Sequence, residues 1–130
     1  MRWPIPAPEP HADCRPEDHP PEAARRPISL ASLDRASQLF RAMGDLSRLR
    51  ILDLLRAGEL CVTEIVDALG EKFPTVSARL RLLRTEGLIA RRRDGNHIYY
   101  ALADRHVVDL IHNAVEHANE LNSSPDPGED

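Results

Sequence analysis

Apolar positions along the chain fall into six blocks, and their spacing changes from helical to alternating and back. From Leu30, the residues Leu33, Leu39, Phe40 and Met43 follow at helical steps, with Ser29 in front as an N-cap and Gly44 behind as a stop. Leu49, Ile51, Leu52 and Leu55 mark a second helix, capped by Asp45 or Ser47 and ended by Gly58. A third and shorter one, about residues 62–69, buries Val62, Ile65, Val66 and Leu69. Gly70 then opens a tight four-residue turn. Pro74 suits the first position of a fourth helix, where its missing N–H costs nothing. That helix buries Val76, Leu80 and Leu83 and stops at Gly87. In "LIARRRDGNHIYYAL" two β-prone runs flank Asp94-Gly95-Asn96, a hairpin signal. The last block returns to helical spacing, with Val107, Leu110, Ile111, Ala114, Ala118 and Leu121 as one apolar stripe.

Two short helices joined by a glycine-led turn make a helix-turn-helix, and a basic hairpin directly after the second helix makes a wing. The fold class expected is mainly α with a β-hairpin: a winged helix-turn-helix, dimerising through its terminal helices. Eight of the eleven prolines lie within residues 1–27, which predicts a flexible N-terminal arm. Residues 28–121 form the DNA-binding and dimerisation domain, and residues 122–130 a disordered acidic tail.

Charge sharpens this picture. The net charge of −4 argues by itself against nucleic acid, but its distribution argues for it. Residues 72–93 carry seven cations against one acid, Glu86, a net +6 that leaves −10 for the rest of the chain. A basic patch on an acidic body is the footprint of a phosphate-binding surface. On the second helix of the motif Thr75, Ser77, Ala78, Arg79 and Arg81 face outward and can approach base edges, with Lys72 in the turn before them. Arg91, Arg92 and Arg93 crowd the approach to the wing tip. Two such units in a dimer predict an imperfect palindrome in double-stranded operator DNA.

The last helix, "DRHVVDLIHNAVEHANE", adds a second chemistry. His106 and His117 are eleven residues apart, so they differ by only ~20° around the helix but lie ~16 Å apart along it. A zinc–nitrogen bond is ~2 Å long, so one ion cannot join them within one chain. Asp104, at the helix start, can turn toward His106, and Glu120 neighbours His117 on the same flank. These are two half-sites at opposite ends. Two antiparallel copies of the helix would complete two sites, each with two nitrogen and two oxygen ligands, shared between chains. His112 and Glu116 point elsewhere, toward solvent.

The motifs "GDLSRLRILDLL", "GELCVTEIV", "TVSARLRLLRTEGLI" and "RRRDGNHIYYAL" together resemble the ArsR/SmtB family of bacterial metal-sensing repressors, over about residues 35–121. The similarity is greatest to its zinc-sensing branch. The resemblance implies that Asp104, His106, His117 and Glu120 bind regulatory Zn2+ between subunits, with Co2+, Cd2+ or Ni2+ as alternatives. It also implies a second metal set, joining Cys61 and Glu64 to arm residues such as Cys14 and His19, with His11, Asp13 and Asp18 as further arm ligands. Two departures stand out. Thr63 gives "CVT" where the thiolate-rich version has "CVC", which weakens that second set. Ala78 replaces a histidine common in relatives, which changes the operator contact.

The expected function is a metal-responsive, zinc-favouring transcriptional repressor that binds its operator as a metal-free homodimer and leaves it on metal binding. Genes of metal efflux or sequestration would thereby be derepressed. The alternative is a winged-helix DNA-binding regulator with a redox switch at Cys14 and Cys61 or another switch that uses no metal. No apolar run approaches the ~18–20 residues of a membrane span, and no signal-peptide core opens the chain, so a cytoplasmic protein without membrane contact is expected. Enzyme chemistry is not expected: no P-loop, HExxH or Ser-His-Asp pattern is present, and a zinc held by four protein ligands lacks the open position catalysis needs.

Overall fold

The computed structural model describes residues 15–18 and 26–123. Five helices and a small sheet follow one another as α1 (Leu30–Met43), α2 (Leu46–Leu55), β1 (Leu60–Cys61), α3 (Val62–Leu69), α4 (Phe73–Thr85), β2 (Ile89–Asp94), β3 (His97–Leu102) and α5 (Arg105–Ser123). In the arm, Pro16–Asp18 form a single 3-10 turn. The last helix runs two residues beyond the expected boundary at Leu121.

The caps explain where the helices begin. Ser29 Oγ accepts from the Ser32 N–H at 3.2 Å and starts α1. Asp45, not Ser47, caps α2, its carboxylate accepting from the Arg48 N–H at 3.0 Å. Arg48 in turn donates from Nε to the Ala42 carbonyl at 2.7 Å, so the end of α1 and the start of α2 are locked together. Gly70 ends α3 with φ 65°, a left-handed conformation that costs a residue with a Cβ about 1 kcal/mol or more. The turn to α4 is one residue shorter than expected. Phe73 takes the first helical position and Pro74 the second, which proline also tolerates because that N–H has no partner inside the helix.

The wing forms as the sequence suggests, over a two-residue Gly95-Asn96 turn between the paired Asp94 and His97. Gly95 has φ 62° and Asn96 does not share the positive φ, the arrangement of a turn with glycine at its first central position. The sheet has one strand more than a hairpin. Leu60 pairs with Tyr100 and Cys61 with Tyr99, so the order is β1-β3-β2. The stretch "LCV" reads as a helix approach in sequence; a two-residue strand is too short to leave a period.

The core gathers Ile51, Leu52, Ile65, Val76, Leu80, Leu83, Leu88 and Ile111, all essentially inaccessible to solvent. Burying each such side chain contributes ~1.5–3 kcal/mol. Together these residues clamp α4 and the base of the wing into one rigid unit.

The apolar stripe of α5 divides. Val107 and Ile111 pack into the core of their own chain, contrary to their expected role in dimer contact, while Leu110, Ala114, Ala118 and Leu121 remain exposed. Much of the apolar face of α1 is exposed too, with Leu30, Leu33 and Phe40 outward, Leu39 half-buried, and Ala42 and Met43 buried at its end.

Candidate nucleic-acid interface and metal ligands

The outward surface of α4 and the wing carries the cations expected from the sequence, but folding sorts them. Lys72 precedes α4, exposed, and Thr75, Ala78 and Arg81 are exposed on the helix; Ser77 is half-buried. Arg79 is half-buried as well, because its Nη1 donates to Glu71 at 2.6 Å, back across the turn. Its guanidinium is therefore occupied, which weakens the expectation that it points freely at bases.

On the wing, strand alternation separates the three consecutive arginines. Arg91 and Arg93 share the face of Ile89 and Tyr100; Arg92 shares the opposite face with Tyr99. Arg92 grips both oxygens of Glu59, with Nε at 3.1 and 3.0 Å and Nη2 on the same carboxylate. Its guanidinium carbon also lies 4.6 Å from the centre of the Tyr99 ring. Those hydrogen bonds hold the Glu59 carboxyl below its ordinary range, and Glu59 raises Arg92 in return. Arg92 thus fastens the wing to the residue before β1. Arg93 donates to the Gly95 carbonyl at 3.2 Å and stiffens the tip. Glu59 and Glu71, the partners of these arginines, escape sequence reasoning: one lies 33 residues from its arginine, and the other gives no periodic signal.

The ligand-type residues of α5 are placed by its cap. Asp104 Oδ1 accepts from the Val107 N–H at 3.2 Å, an N-cap bond that fixes the carboxylate at the helix start. The same oxygen lies 3.4 Å from His106 Nδ1, so these two side chains converge as expected, both exposed. His117 and Glu120 are exposed near the other end. Among the described residues no three metal-ligating side chains of one chain meet. His112 pairs with Glu116 at 3.3 Å on the solvent side.

The second candidate set is only half visible. Cys61 is buried at the start of α3 and its sulfur lies 2.8 Å from Thr63 Oγ1. Glu64 is engaged by the backbone, accepting from the Cys61 N–H at 3.0 Å. Its carboxylate therefore serves as a helix cap. Cys14, His19, His11 and Asp13 lie outside the described residues.

A helix-turn-helix backed by a buttressed basic wing defines the class of winged-helix DNA-binding regulators. Comparisons with known proteins agree. The profile of the family described as "Bacterial regulatory protein, arsR family" matches residues 45–91. The chain is 41% identical over 92 residues to a transcriptional repressor SmtB homolog of Synechocystis, covering 68% of this chain and 70% of that one. It is 35% identical over 88 residues to a cadmium resistance transcriptional regulatory protein CadC homolog of Staphylococcus aureus, covering 67% and 73%. A homodimeric winged helix-turn-helix DNA-binding domain from Mycobacterium bovis superimposes with TM-score 0.66 at 38% identity, covering 69% of this chain and 83% of that one. The chain belongs to the ArsR/SmtB family of metal-sensing bacterial transcriptional regulators.

Proposed function

We propose that this protein is a zinc-responsive repressor, a homodimer that holds operator DNA without metal and releases it when metal is bound. The observation that carries the reading is the convergence of Asp104 and His106 at the start of α5, with His117 and Glu120 near its far end. Neither pair suffices alone, and an antiparallel second copy completes both. The donor set suits zinc: two imidazoles and two carboxylates, all on a solvent-facing flank. Bound there, a divalent ion supplies coordinate bonds between the two subunits. Everything else is done by the chain. Asp104 holds its half-site in place through the cap to Val107. Ile111 and Val107 anchor α5 to the core that also carries α4, so a change in how two α5 helices meet alters the spacing of the two recognition helices. Metal must favour one of the two arrangements for regulation to follow.

The second copy has a surface to meet. Phe40, Met43, Leu49, Leu110, Ala114 and Val115 line an apolar groove of about 270 Å³ between α1 and α5. The named repressor among the relatives and the homodimeric domain from M. bovis support both the activity and the assembly. A cysteine redox switch is less well supported, because Cys61 is buried and its thiol is already in contact with Thr63.

The test is a zinc titration of the DNA complex, followed by fluorescence anisotropy. The wild type should release DNA as zinc rises; a variant carrying both His106→Gln and His117→Gln should bind DNA equally well and stay bound. Release of the variant at wild-type zinc concentrations would remove α5 as the sensor.

A further inference from the structure

Seven cations lie between residues 72 and 93, and the fold does not treat them alike. Arg79 is neutralised by Glu71, and Arg92 by Glu59. Three of the remainder, Arg81, Arg84 and Arg91, line a single cleft of about 70 Å³ together with Ser77, Leu80 and Tyr100. Among the described residues no carboxylate pairs with any of the three.

Two periodicities build this cleft. Ser77, Arg81 and Arg84 are spaced by four and three residues, so they occupy one flank of α4. On β2, residues 89, 91 and 93 share a face, and Ile89 on that face is buried in the core. Arg91 is therefore carried on the same side, just past the core, where it faces the flank of α4. Tyr100 is its direct cross-strand partner. Leu80, fully buried, closes the floor.

Three guanidinium groups gathered without a counter-charge repel one another, and the arrangement is unfavourable until an anion joins it. A phosphate suits it best. It offers several oxygens in a tetrahedral array, and planar guanidinium forks bind such oxygens in pairs. The cleft also lies between α4 and the wing, the two elements that the DNA-binding reading sets against the duplex. Arg84 and Tyr100 belong to this site although neither stands out in the sequence as a DNA contact.

We propose that the Arg81–Arg84–Arg91 cleft is a phosphate site that seats one backbone phosphate of the bound duplex and so sets the register of α4 in the groove. The proposal rests on the DNA-binding reading given above, and its test separates the two. The same chemistry could be satisfied by free inorganic phosphate, and the test also tells these sources apart.

The experiment measures binding of the full chain to a labelled duplex over a range of KCl concentrations, for wild type, Arg84→Gln, Arg91→Gln and the double variant. The slope of log affinity against log salt reports phosphates engaged, about 0.9 per phosphate. Each single variant should lose about 0.9 per bound protomer, and the double variant no more than either single, because one phosphate is lost once. Both replaced side chains, Arg84 and Arg91, are exposed, and circular dichroism should show unchanged helix content. Slopes equal to wild type, or losses that add in the double variant, would overturn the shared site while leaving DNA binding in place. A wild type without salt-dependent duplex binding overturns the DNA-binding reading and this proposal with it. In parallel, the arginine Nε–H signals are followed by NMR as inorganic phosphate is added. Saturation at Arg84 and Arg91, at phosphate concentrations that leave duplex affinity unchanged, would assign the cleft to free phosphate and overturn its role on DNA.

Discussion

Arg91, Arg92 and Arg93 are identical in type and adjacent in sequence, yet they do three different things. Arg91 faces the cleft on α4, Arg92 is bound to Glu59 and Tyr99, and Arg93 braces the turn. Strand alternation, a property any reader of the sequence can apply, separates the middle one from its neighbours. What the alternation does not reveal is that Glu59 waits on that side. This pair has a measurable signature. Its carboxyl is held below the ordinary value of 4.5, so the contribution to stability is complete above that pH and is lost as pH falls through the lower folded value. Replacing Glu59 with Gln should lower Tm slightly at neutral pH, since exposed ion pairs contribute little. The gap between wild type and variant should close as the pH drops below about 4.5. Thermal melts from pH 7 down to pH 3 check this, and a gap that stays constant would show that Glu59 acts by something other than its charge.

At the scale of the element, α5 carries two surfaces that sequence periodicity merges into one. Ile111 is fully buried in its own chain, whereas Ala114, one turn on, is exposed in the groove with Phe40. Their substitutions should therefore fail in different ways. Ile111→Ala removes core packing and should cost ~2–5 kcal/mol of folding stability. Ala114→Glu puts a charge in the apolar groove; the chain should keep its fold but sediment as a monomer. Denaturant unfolding and analytical ultracentrifugation together distinguish the two. Loss of folding in Ala114→Glu, or an intact dimer, would move the subunit contact away from α1 and α5. The helical stripe was legible because both surfaces are apolar. The division was not, because hydrophobicity reports that a face avoids water and not which partner covers it.

For the whole molecule, the proposal places sensing at α5 and leaves Cys61 a structural role. Cys61→Ser should preserve zinc-dependent release from DNA, with any metal held by the arm lost from the count per dimer. Metal analysis after dialysis and a zinc titration of the DNA complex measure the two separately. A variant that no longer responds to zinc would make the start of α3 and the arm the regulatory site. Glu64, bonded to the Cys61 backbone, braces the start of α3 through that hydrogen bond.

The sequence by itself determined the order of the main elements, the helix cap at Ser29, the choice of Asp45 or Ser47 as the next cap, the glycine turns at Gly70 and Gly95, and the placement of Asp104 beside His106. Each of these depends on residues within a few positions of one another, where backbone geometry leaves few choices. The short strand Leu60–Cys61, the pairing of Arg79 and Arg92 with acids, and the cleft shared by Arg84 and Arg91 were decided only by tertiary structure. They join side chains from separate elements, and local periodicity carries no record of which neighbours folding brings together. Charge patterning could count the seven cations of residues 72–93. Only the packed fold could decide which of them keep their charge available for a phosphate.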